Sequence, residues 1–171
     1  GHVFASTAPG MMMGVGSMSD RLRPYGECDT FISTDAGLSL RMVARGPHKH
    51  VFADQGGLLV MAADAPSIDV VQYSFDYGTT WTTLALPEAI EPVVLTSVPD
   101  GTALKILLLG GRRAKTAHER YASVFIDFAV LSKRKCAQAD FERFYPATPH
   151  GSCVFGRRQW YLRRKAQADC F

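Results

Sequence analysis

The chain has 171 residues, of which 47% are hydrophobic and 20% are charged, a composition typical of a folded protein with an apolar core. It contains no run of about 18 apolar residues, which excludes a membrane-spanning helix within this sequence. The formal net charge of +3 combines an acidic part, residues 1–111 with six Lys/Arg and eleven Asp/Glu, with a basic part, residues 112–171 with thirteen and five.

Short segments with the length and residue types of β-strands follow one another along the chain. In chain order they are residues 31–34, 38–43, 57–62, 70–75, 81–86, 93–98, 104–109 and 121–128. Turn signals separate several of them, at Asp35-Ala36-Gly37, Asp76-Tyr77-Gly78 and Pro99-Asp100-Gly101. Because few stretches have a helical pattern, the sequence predicts an all-β fold.

Two of the predicted hairpins share a pattern, Ser-x-Asp-x-Gly-x-Ser/Thr-Trp, which is known as an Asp box. Its two copies begin at Ser33 and Ser74, and their aspartates lie 41 positions apart, about one propeller blade. The residues predicted to form the turns are Ser33, Asp35, Gly37, Ser39, Ser74, Asp76, Gly78, Thr80 and Trp81. The glycine permits a positive φ, while the aspartate and the hydroxyls can form local hydrogen bonds. We interpret both boxes as structural, with Leu40 replacing the tryptophan in the first copy.

The chain resembles the sortilin family, in particular fungal vacuolar protein-sorting receptors, along nearly its whole length. The resemblance rests on the Asp box at 74–81 and on segments 14–18, 25–37, 52–62, 96–99, 125–128, 135–136, 153–157 and 168–170. It implies terminal blades of a ten-bladed β-propeller over residues 1–130, followed over residues 131–171 by the start of a ten-cysteine module. It also implies a type I membrane receptor whose lumenal part binds soluble cargo proteins or propeptides of vacuolar hydrolases, without catalysis.

The length of the chain bears on this expectation. A four-stranded blade needs about 40–50 residues, so 171 residues hold two or three blades rather than ten. The opening residues also lack the pattern of a signal peptide. We therefore expect a fragment or a shortened relative, with any membrane anchor outside this sequence. An open set of blades would expose sheet faces and strand edges.

The four cysteines allow three complete disulfide pairings, and spacing alone does not choose between them. The family resemblance implies a bridge between Cys136 and Cys170. It leaves Cys153 for a partner outside the chain, and Cys28 free or paired elsewhere. No cysteine pair has the Cys-x₂₋₄-Cys spacing of a structural zinc site, so we expect no bound metal.

The remaining candidate sites are weaker. His48 and His50 follow Gly46-Pro47, and without a third ligand we predict a solvated loop there rather than a metal site. The basic residues occur as scattered pairs, such as Arg163-Arg164, without an RNA-binding or zinc-finger signature, which favours a solvated basic face and no nucleic-acid partner. No cofactor-binding motif occurs. The alternative function is glycoside hydrolysis on an Asp-box propeller, as in sialidases.

Overall fold

The computed structural model describes residues 6–112, 120–131, 133–147, 151, 153 and 155–171. The strands are β1 (Met12–Gly16), β2 (Asp29–Ser33), β3 (Arg41–Ala44), β4 (His48–Ala53), β5 (Leu58–Ala63), β6 (Ile68–Ser74), β7 (Thr82–Thr96), β8 (Lys105–Gly111), β9 (Tyr121–Asp127), β10 (Phe141–Phe144) and β11 (Tyr161–Arg164). Four 3₁₀ turns lie between them, at Tyr25–Glu27, Asp54–Gly56, Phe128–Leu131 and Gln138–Asp140. No α-helix occurs in these residues.

The largest sheet has six strands in the order β4-β5-β6-β7-β8-β9, all antiparallel to their neighbours. Its curvature comes from β7, which changes partner along its 15 residues. The first part of β7 pairs with β6, from Thr82 opposite Tyr73, and the last part pairs with β8, ending at Thr96 opposite Leu107. Register shifts mark the change, because each bulge bends and twists the strand.

Strand β5 lies at the centre of the molecule, and both of its faces are buried. Leu58, Val60 and Ala62 point into a core formed with β7, β8 and β9. Leu59 and Met61 point into a second core shared with Met13 of β1, Ile32 of β2 and the second Asp box. A strand buried on both faces has a continuous apolar sequence, and each fully buried Leu contributes about 1.5–3 kcal/mol.

A three-stranded sheet, in the order β1-β2-β3, packs over the second core. The sheets therefore stack face to face as propeller blades do. The first Asp box joins β2 to β3, and the second joins β6 to β7. This arrangement confirms the predicted all-β, partial-propeller fold. The outermost faces carry exposed apolar side chains, among them Met42 on one side and Phe125 on the other.

The C-terminal residues form a small unit, which we call the disulfide segment (residues 133–147, 151, 153 and 155–171 as described). Strands β10 and β11 pair antiparallel, with Phe141 opposite Arg164. Cys136 and Cys170 form a disulfide with Cα atoms 5.0 Å apart. Backbone bonds from Cys136 N–H to the Phe171 carbonyl, 2.9 Å, and from Phe171 N–H to the Arg134 carbonyl, 3.0 Å, hold the two ends together.

Two local predictions differ from the structure. The predicted loop at His48 and His50 is strand β4, and it is not solvated as expected, because both rings are partly buried against neighbouring strands. The predicted break between residues 86 and 93 is absent, because β7 runs through Pro87 and Pro92. Proline is tolerated there because it lies where the ladder is interrupted by register shifts. No helix among the described residues has the length and apolarity needed to cross a membrane.

Candidate functional site at the junction of the sheets and the disulfide segment

The first Asp box forms a closed network of hydrogen bonds around Asp35. Ser33 Oγ donates to Asp35 Oδ1 over 2.7 Å and accepts from the Gly37 N–H over 2.8 Å. The Ser39 N–H and hydroxyl both donate to the same carboxylate. Ala36 and Gly37 have φ values of 65° and 90°, so the turn needs the glycine that the pattern supplies.

The second box repeats this geometry around Asp76. Ser74 Oγ donates to Asp76 Oδ1 over 2.7 Å, and the Thr80 hydroxyl donates to Oδ2 over 2.6 Å. Trp81 lies beneath the turn, and its Nε1–H donates to the Gly78 carbonyl over 3.0 Å. Leu40, at the tryptophan position of the first box, cannot donate this bond and is 62% exposed. The two boxes thus share their carboxylate network and differ in the side chain that supports it.

These bonds fix the charge state of the two carboxylates. Hydrogen bonds from the Ser39 hydroxyl, the Ser39 N–H and the Ser33 hydroxyl lower the pKa of Asp35 from 3.8 to about 2. Burial raises the pKa of Asp76, but hydrogen bonds from Thr80 and Ser74 outweigh it, and the net shift is downward. Both carboxylates are therefore ionised at neutral pH and occupied by turn donors, which does not suit a general acid.

Arg163 connects the disulfide segment to both boxes. Its Nη1–H donates to the carbonyl of Thr34 in the first box over 2.9 Å. Its guanidinium carbon lies 5.4 Å from the centre of the Tyr77 ring in the second box and 4.0 Å from that of Phe144. Its Nε–H donates to Glu142 over 2.9 Å. A single side chain thus joins two turns that the sequence pattern treats as separate repeats.

Arg164 is the most deeply buried cation of the junction, with 7% of its surface exposed. Its guanidinium donates to the carboxylate of Asp54 over 2.8 Å and to the carbonyls of Gly57, Cys170 and Phe75. Its Nε is buried and has no hydrogen-bond partner among the described residues. Bonds from Nη1 and Nη2 to four acceptors in three parts of the chain fix the position of β11, which a lysine could not reproduce.

Formation of this pair partly removes the Asp54 carboxylate from water. Burial raises the pKa of Asp54 above its ordinary 3.8, although the charge of Arg164 acts in the opposite direction. Desolvation of the carboxylate is thus only partly compensated by the ion pair. A buried pair of this kind contributes little net stability but is costly to break, so its main effect is to define one relative position of two elements.

A second contact lies on the other side of the disulfide. The Lys133 ammonium lies 3.8 Å from the centre of the Phe75 ring and 5.4 Å from that of Phe171, and it pairs with Asp169. The rings of Phe75 and Phe171 are themselves 5.4 Å apart. The residue after the disulfide therefore packs against β6 and its turn.

The sheets and the disulfide segment enclose a cleft of about 560 Å³. Its lining residues are Thr7, Pro9, Asp54, Gln55, Lys135, Cys136, Phe141, Leu162, Arg163, Arg164 and Phe171. The cationic groups of Arg163 and Arg164 are already occupied by carboxylates, so the cleft combines paired charges with apolar walls.

The other candidate residues lie away from this junction. Cys28 is buried beside the Arg23 and Pro24 carbonyls, and Cys153 is exposed; neither forms a disulfide within the described residues. The His48 ring contacts Thr30 and the Gly46 carbonyl. Burial lowers the pKa of His50, which keeps this ring neutral. The only group of metal-ligand types found close together in the described residues contains Cys136 and Cys170, whose sulfurs are already bonded to each other.

Family models match the chain along almost its whole length. The model described as "Sortilin, neurotensin receptor 3" matches residues 1–95, and the model described as "Sortilin, neurotensin receptor 3, C-terminal" matches residues 97–171. The chain belongs to the sortilin family. This assignment agrees with the stacked sheets, the Asp boxes and the disulfide segment.

Curated relatives carry a common name. "Vacuolar protein sorting/targeting protein 10" of Mycosarcoma maydis is 47% identical over 174 residues, which cover 100% of this chain and 12% of the relative. The proteins of that name from Emericella nidulans and Aspergillus flavus are 43% and 39% identical, with the same coverage. The chain thus spans 12% of the length of these relatives.

The junction residues were not identified from the sequence. The Arg163-Arg164 pair was interpreted as part of a solvated basic face, and for these two residues that interpretation is wrong. Both side chains are largely buried and each pairs with a carboxylate. Their place directly after Tyr161-Leu162 in a short β-strand does not separate them in the sequence from other Arg-Arg pairs.

Proposed function

We propose that this chain is part of the lumenal cargo-binding region of a sorting receptor that carries soluble hydrolases from the Golgi to the endosome and vacuole. The observation that carries the proposal is the match over 100% of the chain to relatives named for vacuolar protein sorting and targeting. The parent would be a type I membrane protein, with this part on the lumenal side. Its action would be recognition of proteins or propeptides, without turnover.

The site chemistry supports recognition over catalysis. Sialidase-like hydrolysis needs an acid that can donate a proton and a nucleophile facing the same sugar. The Asp35 and Asp76 carboxylates instead accept several hydrogen bonds within their own turns. The ion pair of Asp54 with Arg164 at the cleft holds two parts of the chain together.

The proposal is tested by direct binding with the purified, oxidised chain. The ligand is the purified precursor of a soluble vacuolar hydrolase, and the control is the same hydrolase after removal of its propeptide. We expect saturable binding of the precursor by isothermal titration calorimetry and no release of 4-methylumbelliferone from its sialoside or glucoside. Turnover of either glycoside by folded protein, abolished by substitution within this chain, would replace the proposal with the hydrolase alternative.

A further inference from the structure

The outer face of the β10–β11 hairpin carries two guanidinium groups stacked on two aromatic rings. We call Arg143, Tyr145, Arg158 and Trp160 the arginine–aromatic surface. The Arg143 guanidinium carbon lies 4.6 Å from the centre of the Trp160 ring. The corresponding atom of Arg158 lies 4.1 Å from the centre of the Tyr145 ring. Each stack joins one arm of the hairpin to the other.

The strand register brings the two stacks together on one face. Arg143 is directly opposite Leu162, and Trp160 precedes Leu162 by two positions. Side chains at alternate positions share a face, and diagonal neighbours across a strand pair are within reach of long and aromatic side chains. Tyr145 follows Arg143 by two positions in the same way. The four residues and Leu162 therefore form one continuous surface.

Among the residues that the structure describes, no carboxylate pairs with either arginine of this surface. In the described part of the chain, the guanidinium groups of Arg143 and Arg158 form no ion pair and no hydrogen bond, only the ring contacts. Arg134, Arg163 and Arg164 in the same segment all donate to carboxylates. A guanidinium has five N–H donors, and those that do not face the ring stay available to a planar anion.

The surface also exposes large apolar groups. Trp160 is 48% exposed and Leu162 58%. Tryptophan, tyrosine and arginine are the residue types that contribute most to binding energy in protein interfaces. A dense polyanion would be better matched by clustered lysines and arginines without apolar groups between them. The mixture of two fixed cations with apolar side chains fits a peptide that has both acidic and apolar residues.

We propose that the arginine–aromatic surface binds an extended acidic segment of a protein partner. Carboxylates of that segment pair with Arg143 and Arg158, and an apolar side chain between them packs on Leu162 and Trp160. Leu162 also lines the junction cleft, so the bound segment continues towards it. The choice of a protein partner rests on the proposed function, whereas the chemistry of the ligand rests on the surface itself.

The test uses the whole oxidised chain and fluorescence anisotropy. The probe is a fluorescein-labelled twelve-residue peptide in which two Asp-Glu pairs flank one leucine in a Gly-Ser background. We expect saturable binding that is lost when every Asp and Glu of the peptide becomes Asn and Gln. Arg143→Ala with Arg158→Ala should weaken binding by at least about tenfold, because charge-assisted bidentate bonds are strong.

A matched control separates local recognition from net charge. Arg21→Ala with Arg23→Ala removes the same charge from another exposed segment and should change binding less than about twofold, since exposed charges far from the ligand are screened by salt. Arg143→Lys with Arg158→Lys keeps the charge but loses the planar fork, and most of the affinity should still disappear. Circular dichroism and a disulfide map verify that each variant folds.

Three outcomes would overturn the proposal: no binding of the acidic peptide, equal weakening by the two double alanine variants, or full affinity of the double lysine variant. Heparin binding that is lost in Arg143→Ala with Arg158→Ala, while the affinity for the peptide is unchanged, would likewise assign the surface to a polyanion. Failure of peptide binding together with normal binding of a hydrolase precursor would remove this proposal and leave the proposed function standing.

Discussion

Arg164 and Asp54 are 110 positions apart in the sequence, and Arg164 Nη1 lies 2.8 Å from Asp54 Oδ2. The pair links β11 of the disulfide segment to the turn between β4 and β5. The Gly57 carbonyl accepts from the same guanidinium. A Cβ at position 57 would lie 2.4 Å from Asp54 Oδ2 and 2.5 Å from the guanidinium carbon, so the close approach requires a glycine.

Loss of the cation at this pair should be strongly destabilising. Arg164→Met leaves the partly buried Asp54 carboxylate and three carbonyls without their donor, and we expect the free energy of unfolding to fall by about 3–5 kcal/mol. Urea denaturation followed by tryptophan fluorescence measures this change. Arg21→Met, at an exposed position, should stay within about 0.5 kcal/mol of the parent. A loss for Arg164→Met no larger than that of its control would show that the pair is dispensable.

Acid should remove the contribution of the first Asp box. The pKa of Asp35 is lowered to about 2 in the folded chain, so its stabilising effect is present above the unfolded value of 3.8 and is lost as the pH falls towards 2. Asp35→Asn should therefore be less stable than the parent above pH 4, and the difference should shrink between pH 4 and pH 2. A difference that is constant across this range would contradict the assignment.

Asp69 provides the control for that pH series. It is exposed and has no side-chain hydrogen bond or ion pair within the described residues. Asp69→Asn should change the free energy of unfolding by less than about 0.5 kcal/mol at any pH in the series. Urea midpoints at half-unit pH intervals give both curves under identical conditions.

The turn of the second box should tolerate a side chain at its glycine poorly. Gly78 has a φ of 73°, and an added Cβ would lie 3.2 Å from both Ile32 Cδ1 and Trp81 Cζ2. Gly46 has a similar φ of 77° with open space around its Cα. Both alanine variants have the backbone strain of about 1–2 kcal/mol, but only Gly78→Ala should also disturb the core. The midpoint of thermal unfolding measures both effects. Equal decreases of this midpoint in the two variants would mean that packing under the turn is loose.

The disulfide should stabilise the chain by constraining its unfolded state. Cys136 and Cys170 are 34 positions apart, and the chain-entropy model gives about 3–4 kcal/mol for closing such a loop. Cys136→Ser with Cys170→Ser should lower the midpoint of urea denaturation accordingly. Cys153→Ser, at an exposed free thiol, should leave it unchanged. An effect of Cys153→Ser as large as that of the double variant would indicate that Cys153 takes part in a bridge.

The strands that the sequence predicts are those whose residues are branched or aromatic and bounded by turn signals. Strand β1 contains two glycines and two methionines, and β4 begins with His48 and Lys49, so neither has the usual composition of a strand. Both form because β2 and β5 supply the partner backbone. Tertiary pairing, which local composition does not encode, decides these two elements.

The two Asp boxes could be predicted from the sequence because the hydrogen bonds to their carboxylates are all made within a few residues. Ser74 and Asp76 need only each other and Thr80 to form their network. Arg164 is different, since its acceptors come from three parts of the chain, and Arg158 likewise follows another arginine. A buried arginine and an exposed one can be told apart only when the fold brings Asp54 alongside.

The most direct measurement is the fate of a soluble vacuolar hydrolase in the cell that encodes this chain. Arg164→Met and, as a control, Arg21→Met are introduced into the chromosomal gene, and the secreted fraction of the hydrolase is determined by immunoblot. A sorting receptor whose disulfide segment is displaced should lose its cargo, so the hydrolase should appear in the medium only with Arg164→Met. Complete vacuolar retention in that strain, and in a strain deleted for the gene, would contradict a role in sorting.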